Sequence, residues 1–424
     1  MNQIDRNNTS WVRRFDWLTI LFWAILTLIG LTAIYSATLG PVSEFLPQHI
    51  QQNFSKQFMF VGLSVVCVIF IQFISPRAFQ QLAYLIYALC LALVISTIFF
   101  GVEVNGAKSW FEIGGIRFQT GEPMKMATVL AVAAYLTSRR DISAVKLRSA
   151  IVAVLIILVP IIAIVAQNDT GSALVFLPLI PIMLFLSGLP HGISVLMISP
   201  AIIGYLTLID WRLGLASAVI VAVVVYMLEK KIWLSVGTIV AGSLLVLAID
   251  IALHEVLQPH QQLRIQAFIN PFVDPQGAGW NVIQAQTAIS SGGVFGKGFL
   301  QGTQTQLRFL PEQWTDFIFC VIAEEFGLVG AGFVIIILMF MFLRLLNLAI
   351  GLKDPFSQMV IVGIVGILFT HVLINLGSSM GIIPVIGVPL PFMSYGGSSF
   401  LINSIMLATC LNLYLRQKDM SHFS

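Results

Sequence analysis

Long apolar runs, each near the length that crosses a lipid bilayer, constrain the fold of this chain more than any other feature. A helix needs about 20 mostly apolar residues to span the hydrocarbon, and every backbone group within it must be bonded internally. Such helices are predicted at twelve places: 17–38, 57–75, 82–102, 122–138, 149–167, 172–188, 192–209, 213–229, 233–253, 316–346, 357–377 and 399–415. With 58% of its 424 residues hydrophobic and 10% charged, the chain is predicted to be an all-α polytopic membrane protein with one integral membrane domain, 1–424.

The charge pattern and the cysteines exclude several classes of function. The net charge is only +3, and the basic residues are scattered without an interleaved aromatic stripe, which argues against nucleic-acid binding. All four cysteines fall within apolar runs, where each is expected to pack as a small hydrophobic side chain: Cys67, Cys90, Cys320 and Cys410. Motifs such as HExxH, CxxC and the P-loop do not stand out, so no metal ligand set or cofactor is predicted.

The lysines and arginines that flank the predicted helices are divided unevenly between the two sides of the membrane. With the N-terminus inside, one side receives Arg6, Arg13, Arg14, Arg77, Arg139, Arg140, Lys146, Arg148, Lys230, Lys231, Arg344, Lys353, Arg416 and Lys418. The other side receives fewer, mostly in longer loops whose charges count for less: Lys56, Lys108, Arg117, Arg212, Arg264, Lys297 and Arg308. Because basic flanks tend to stay cytoplasmic, both termini are predicted to be cytoplasmic.

Three segments that are predicted to face outward have an unusual composition: 103–121, 254–315 and 378–398. The large extracytoplasmic loop 254–315 contains the turn cluster "NPFVDPQGAG" and then "WNVIQAQTAI", which is consistent with a short helix lying at the membrane interface. The segment 378–398 is rich in glycine, proline and serine yet remains apolar. It therefore suits a re-entrant or cavity-lining segment better than a solvated loop.

Three carboxylates lie at or inside the start of the predicted helix 316–346, where hydrocarbon would be expected. Asp316 is at the water boundary, where partial burial and the helix dipole would act on its pKa in opposite directions. The position suits a general base, but capping of the helix after Thr315 explains the same pattern. Glu324 and Glu325 would lie about 12 Å deeper, and an ionised group near the bilayer centre costs about 2.5–3.5 kcal/mol. We expect these two to be structural, one with a basic partner and the other facing a hydrated cavity.

Other polar residues have both a binding and a structural interpretation. Glu122 and Lys125 are three apart on one predicted helix, so they can form an ion pair or line a cavity. Lys297 lies among five glycines, where an anion site and a solvated lysine in a flexible turn explain the spacing equally well. Asp169, in "QNDTGS", is equally able to cap the helix that follows it.

Several motifs occur together along nearly the whole chain: "IYSAT", "NGAKSWFEIGGIRFQTGE", "QNDTGS", "LPEQWTDFIFCVIAEEFG" and "GIIPVIGVPLPFMSYGGSS". In this combination the chain resembles the SEDS family of membrane peptidoglycan glycosyltransferases. The form "GTQTQLRFLPE" favours the elongation branch of that family over its division branch. The form "QTGEPMK" departs from the family's common "QPSE" but keeps the acid and the base in place.

The resemblance implies an inverting glycosyltransferase that polymerises lipid II on the outer face of the bacterial cytoplasmic membrane during elongation. Its leaving group is undecaprenyl pyrophosphate, and its catalytic residue is the aspartate of "WTDFIF", Asp316. The implied partners are lipid II, the undecaprenyl-pyrophosphate-linked glycan, a class B penicillin-binding protein that acts as transpeptidase, and the elongation machinery. A lipid II flippase and a division polymerase remain as alternatives. A divalent cation beside the leaving pyrophosphate is compatible with the chemistry, although no motif supplies a dedicated site.

Pyrophosphate groups need cations, and the outward lysines and arginines are the candidates. The residues predicted to bind substrate are Lys56, Lys108, Trp110, Arg117, Glu122, Lys125, Lys297 and Arg308, with Trp110 either stacking on a sugar or belonging to an interfacial aromatic belt. The residues predicted to be structural or cavity-lining are Asp169, Glu324, Glu325 and Ser394. The family usually has ten helices, so the surplus is interpreted as an extra hairpin, 192–209 with 213–229 or its neighbour.

Overall fold

The computed structural model describes residues 15–40, 47–104, 106–138, 147–256, 259–277 and 279–417. The chain is mainly helical within these ranges, which confirms the predicted all-α polytopic fold. Both termini, predicted to be cytoplasmic, lie outside the described residues, as do several basic residues used in that prediction: Arg6, Arg13, Arg14, Arg139, Arg140, Lys146 and Lys418.

Within the described residues, the strands all lie in one short stretch of the chain, and the other regular elements are helices. The helices are α1 (Trp17–Leu39), α2 (Gln48–Gln51), α3 (Asn53–Ile71), α4 (Pro76–Gln81), α5 (Ala83–Phe100), α6 (Gly121–Thr137), α7 (Leu147–Val165), α8 (Thr170–Phe176), α9 (Leu179–Leu186), α10 (His191–Ile209), α11 (Trp211–Glu229), α12 (Ile232–Ile251), α13 (Pro259–Ile269), α14 (Trp280–Ser291), α15 (Thr303–Gln306), α16 (Ile318–Ile350), α17 (Pro355–Ser379) and α18 (Gly397–Leu415). The strands are β1 (Val102–Val104), β2 (Ala107–Ile113) and β3 (Ile116–Gln119).

Helices occur at all twelve predicted places, but within the described ranges ten are long and apolar enough to cross a membrane. One of the two shorter segments is α6, whose 17 residues include Glu122 and Lys125 and are almost entirely buried. The other, α8 with α9, is interrupted at Pro178, since proline cannot donate the backbone bond that would continue the helix. The hairpin 192–209 with 213–229 was interpreted as an addition to the family's usual ten helices. Both of its helices are among the ten found here, so that interpretation stays a prediction.

The three strands form a small antiparallel sheet in the first outward segment, which the sequence analysis did not predict. Strands β2 and β3 pair through Ile113 and Ile116, so only Gly114 and Gly115 connect them. Both glycines have positive φ, 59° and 78°, as a tight two-residue hairpin requires. The amide of Gln119 donates to Ser398 Oγ (3.3 Å), which joins the sheet to the start of α18.

The large loop 254–315 contains short helices, as predicted. A π-helical turn at Ala252–Val256 ends the run of α12, and α13, a 3-10 turn at Pro271–Val273, α14 and α15 follow. Helix α14 buries Val282, Ala285 and Ala288, and the two alanines belong to one cluster with Leu310 and Phe317 at the entrance to α16. The loop is therefore packed onto the helix that begins beside Asp316.

Candidate active site

Asp316 lies on a short run of turns that leads into α16, two residues before the helix begins. The N-cap residue is Phe317, and no side chain makes a capping hydrogen bond there. The structure therefore does not support the alternative interpretation in which Asp316 caps its helix. Its carboxyl group is left for another role.

Three hydrogen bonds from the later part of the chain hold the turns around Asp316. The Ser394 hydroxyl donates to the Thr315 carbonyl (2.5 Å), and the Tyr395 amide donates to the Trp314 carbonyl (2.8 Å). The Asn375 side chain, on α17, donates to the carbonyl of Asp316 itself (2.8 Å). Three successive backbone carbonyls are thus fixed, and with them the point of the backbone from which the Asp316 side chain extends.

The segment 380–396, which has no regular helix or strand, covers one side of Asp316. Asn375 also donates to the Val388 carbonyl (2.9 Å), and the Leu390 amide donates to Ser394 Oγ (2.8 Å). Gly387 faces the carboxyl group: a Cβ there would be 3.4 Å from Asp316 Oδ2, which is an ordinary contact distance. Its φ of 70°, in the left-handed region, explains the glycine at this point.

The surroundings of Asp316 set its protonation near neutral pH. Its side chain is half-buried, and this desolvation raises the pKa of Asp316 to about 7, with the charge of Glu312 acting in the same direction and the Thr315 hydroxyl opposing both. Burial outweighs any gain from the helix dipole. A carboxyl group that titrates near the operating pH is suited to act as a general base.

A fully buried polar chain lies behind the segment that covers Asp316. The predicted ion pair forms, with Lys125 Nζ 2.8 Å from Glu122 Oε2 and both side chains at most 2% exposed. Lys125 Nζ is also 2.7 Å from His371 Nε2, and His371 Nδ1 is 3.1 Å from the Pro389 carbonyl. Neither His371 nor Asn375 was identified from the sequence. The available signal was weak: two isolated polar residues in the apolar run 357–377.

A second ion pair joins Glu324 to Lys297, so Glu324 is the one of the two glutamates that has the expected basic partner. Lys297 Nζ is 2.8 Å from Glu324 Oε1 and also donates to Thr303 Oγ1 (2.6 Å). The backbone amides of Gln304 and Thr305 donate to the two oxygens of Glu324, each at 2.9 Å. The charge of Lys297 is thus already balanced by the protein, and the anion site proposed for it stays a prediction.

Glu325 has polar partners instead of the hydrated cavity that was one expectation for the pair. Its carboxylate accepts hydrogen bonds from the Ser36 hydroxyl and from Gln306 Nε2 (3.2 Å). Both partners lie near the C-terminal ends of their elements, α1 and α15. Glu325 therefore ties the first helix to the loop that precedes Asp316.

The glycines around Lys297 have a structural explanation. Helix α16 breaks at Gly327, where φ is 67° and ψ is −163°. The carbonyls of Glu324 and Glu325 then accept from the amides of Lys297 and Gly298, each at 3.0 Å. A Cβ at Gly296 would come within 2.1 Å of the Glu325 carbonyl oxygen, so only glycine permits this approach. The segment around Lys297 therefore replaces the backbone hydrogen bonds that α16 loses at its break.

The remaining predicted site residues lie on the sheet, at helix ends and in the loop. Asp169 caps α8 by accepting from the Ser172 amide (3.0 Å), which confirms the capping alternative. Arg117 pairs with Glu112 across the hairpin (3.1 Å), and Lys108 and Trp110 lie on β2 of the same sheet. Lys56 is half-buried on α3. Arg308 is also half-buried, and its Nε and Nη1 atoms lack a hydrogen-bond partner among the described residues.

One apolar pocket lies far from this chemistry. It has a volume of about 370 Å³ and is lined by residues of α10 and α12, among them Pro200, Trp233 and Leu245. Its lining carries no titratable side chain. A pocket of this kind offers no general base, and we do not consider it a candidate active site.

Comparisons with known sequences identify the family. The family model for FtsW, RodA and SpoVE, described as a cell cycle protein, matches residues 16–215 and 209–419. The peptidoglycan glycosyltransferase RodA of Treponema pallidum is 33% identical over 433 residues, covering 96% of this chain and 99% of that protein. The peptidoglycan glycosyltransferase MrdB of Escherichia coli (strain K12) is 32% identical over 361 residues, covering 85% of each chain.

Comparisons with solved structures agree. A chain from work entitled "Structural coordination of polymerization and crosslinking by a peptidoglycan synthase complex" has a TM-score of 0.72 and 26% identity, covering 95% of this chain and 98% of that one. The rod shape determining protein RodA of Thermus thermophilus has a TM-score of 0.61 and 24% identity, covering 94% and 96%, and supports the fold. The chain therefore belongs to the FtsW, RodA and SpoVE family, and within that family it is RodA-like.

Proposed function

We infer that this chain is a peptidoglycan glycosyltransferase in which Asp316 is the general base. Its relatives over almost the full length carry that activity in their names. The observation that carries the assignment of Asp316 is its environment: a half-buried carboxyl group with a pKa of about 7, on turns whose backbone carbonyls accept hydrogen bonds from Asn375 and Ser394. Because a base works best when it titrates near the operating pH, this environment matches the role.

The reaction joins two lipid-linked sugars. The Asp316 carboxylate removes the proton from the 4-hydroxyl of the acceptor lipid II as that oxygen attacks the anomeric carbon of the growing glycan. The bond to undecaprenyl pyrophosphate breaks, and the anomeric centre inverts from α to β. The pyrophosphate leaves with the bonding electrons, so no nucleotide is needed. A positioned general base contributes about 10²–10⁴-fold to such a step.

Cations of the outward segments would balance the pyrophosphate charges of donor and acceptor. Arg308 is the best supported of them, because two of its guanidinium nitrogens are buried without a partner among the described residues. Arg117, Lys108 and Lys56 are further candidates, and Trp110 could stack on a sugar. Lys297 is less suited, since Glu324 already neutralises it. Glu122 and Lys125 act from behind the segment 378–398, which we propose lines the substrate cavity.

The proposed setting is the bacterial inner membrane, with Asp316 at the outer face and both termini in the cytoplasm. The uneven distribution of basic residues in the sequence supports this orientation. A class B penicillin-binding protein is the proposed partner within the elongation machinery, because the structural neighbour belongs to a complex that coordinates polymerisation and crosslinking. The present chain would supply polymerisation and the partner would supply crosslinking.

The test of this function is the product formed from labelled lipid II. Purified protein, alone and with its transpeptidase partner, is incubated with fluorescent lipid II in detergent, and products are separated by gel electrophoresis. We expect a ladder of glycan strands. In a second arm, proteoliposomes report movement of lipid II between leaflets. Movement without any polymer would replace the glycosyltransferase with the flippase alternative.

A further inference from the structure

His371 lies in the middle of α17 with 1% of its surface exposed, in the apolar stretch "FTHVLINLG". Its ring contacts two polar groups from distant parts of the chain, the ammonium group of Lys125 at 2.7 Å and the Pro389 carbonyl at 3.1 Å. A histidine that merely fills space would not need a partner on each nitrogen. The arrangement connects α6, α17 and the segment that covers Asp316.

The two partners fix the tautomer of the ring. A carbonyl oxygen can only accept, so His371 Nδ1 must carry the hydrogen that bonds to Pro389. Nε2 then has a lone pair, which accepts from the Lys125 ammonium group, and Lys125 is in turn paired with Glu122. A protonated ring would place two positive donors face to face in a buried site, which is strongly unfavourable. The ring is therefore neutral and is oriented by Lys125 and Glu122.

His371 and Asn375 are one helical turn apart and hold neighbouring points of the same segment. His371 holds the Pro389 carbonyl, whereas Asn375 holds the Val388 carbonyl and the Asp316 carbonyl together. Val388 is 4% exposed, and Gly387, which precedes it, faces the Asp316 carboxyl group, since a Cβ added there would lie 3.4 Å from Oδ2. The contacts form one path from the buried ion pair to Asp316.

We propose that His371 is a positioning residue, which anchors the Pro389 carbonyl so that the segment 387–390 stays closed against Asp316. The proposal rests on the proposed function of Asp316 as the base. The Glu122 and Lys125 ion pair then serves to orient the imidazole ring. One side of Asp316 then stays shielded from water, because the anchored segment 387–390 cannot move away from it.

Two amide substitutions separate the Pro389 contact from the Lys125 contact. The amide nitrogen of asparagine takes roughly the position of Nδ1, whereas that of glutamine takes roughly the position of Nε2. His371→Asn therefore keeps a donor for Pro389, and His371→Gln loses it. Thr370→Val is the matched control, since the Thr370 hydroxyl is buried but bonds only within its own helix, to the Gly366 carbonyl (2.7 Å).

The first measurement is the rate of lipid II polymerisation as a function of pH. For His371→Gln we expect turnover to fall by about 10–100-fold with little change in apparent KM, because misplacement of about 1 Å is enough for such a loss. The acid limb should also move to lower pH, since water reaching Asp316 lowers its pKa. Glu312 is the charged group that faces Asp316 among the described residues, and Glu122 and Lys125 face His371. His371→Asn and Thr370→Val should behave like the wild type.

The second measurement does not need activity. In protein carrying Val388→Cys, a maleimide should label this buried position slowly, and the added His371→Gln should accelerate labelling at least several-fold, whereas His371→Asn should not. Equal labelling rates would overturn the anchoring proposal even if the protein made no polymer. Loss of activity with an unmoved acid limb, or an equal loss in His371→Asn, would also overturn it. If the Val388→Cys proteins label as expected but the wild-type protein makes no polymer, the proposed function alone would be refuted.

Discussion

Helices α17 and α18, which flank the segment that covers Asp316, and the three helices α10–α12 differ in what surrounds them. In the best membrane-spanning windows of α17 and α18, 78% and 83% of the residues are buried inside the protein, against 28%, 33% and 22% in α10, α11 and α12. Helices α10–α12 pack mainly on one another around a small cluster of Ile203, Ala218 and Val246. Helices α17 and α18 are therefore surrounded mainly by protein, whereas α10–α12 are surrounded mainly by lipid.

This difference explains where polar groups can be held in fixed positions. Within α17, the His371 ring and the Asn375 side-chain nitrogen find hydrogen-bond partners because other chain segments enclose them. A polar group on the outer faces of α10–α12 would meet hydrocarbon and find none. Lipid is also as apolar as the side chains it touches, so burial there contributes little to the association of helices. The site can therefore be precise only in the enclosed region.

The largest expected difference between the regions comes from a buried charge. Lys125→Met leaves Glu122 buried and unpaired, and we expect a loss of about 3–5 kcal/mol in the free energy of unfolding. The matched change beside the helices α10–α12 is His254→Gln, in the π-helical turn that follows α12, which removes an exposed pair with Asp250 (3.3 Å) and should have no measurable effect. Thermal unfolding in detergent measures both. Similar losses in the two variants would remove the distinction between the regions.

A smaller difference is expected from removing apolar volume. Ile364, on α17, is fully buried, and Ile364→Ala should cost about 2–5 kcal/mol because it leaves a cavity. Leu244, on α12, is 60% exposed, so lipid or detergent fills the space left by Leu244→Ala, and the change should stay within about 0.5 kcal/mol. The same unfolding assay compares the pair. A larger loss for Leu244→Ala would mean that a protein partner, not lipid, covers α12.

The smallest expected effect is a shift in pH dependence that only the enclosed region can produce. Since the base must be deprotonated, polymerisation should fall about tenfold for each pH unit below the pKa of Asp316, about 7. Glu312→Gln removes a charge that raises this pKa, so the acid limb should move to lower pH. Glu229→Gln, at the end of α11, should leave it unchanged. If the acid limb of the pH–rate profile does not match the pKa of Asp316 and does not shift in Glu312→Gln, the titration belongs to another group.

The sequence predicts the features that are local in the chain. The apolar runs give the helices, and the spacing of Glu122 and Lys125 gives their ion pair, because residues three apart share a helix face. The need to neutralise an acid within a span predicts a basic partner for one of Glu324 and Glu325, without saying which. Asp316 is assigned as the base by its family motif, and that role stays a prediction.

The features that were missed depend on contacts between distant parts of the chain. The bond between Lys125 and His371 joins residues 246 positions apart, and that between Asn375 and Asp316 joins residues 59 apart. No period or composition in the sequence reveals such pairs. The break in α16 was hidden for a similar reason, since Gly327 can leave the helix only where the segment 293–298 replaces its lost hydrogen bonds.

The substitution Asp316→Asn provides its own folding control. The folded protein raises the pKa of Asp316 from 3.8 to about 7, so ionisation of this group lowers the stability of the fold as the pH rises between those values. An uncharged amide of the same shape avoids that loss. At pH 8 the variant should therefore unfold at a higher temperature than the wild type, and at pH 4 the two should be nearly equal.

The most direct test of Asp316 as the base is the rate at which purified Asp316→Asn protein polymerises labelled lipid II at pH 8, beside the wild type. We predict a rate lower by about 10²–10⁴-fold in a variant that is expressed normally and folded by the criterion above. Glycan synthesis by that variant within a few-fold of the wild-type rate would contradict the assignment.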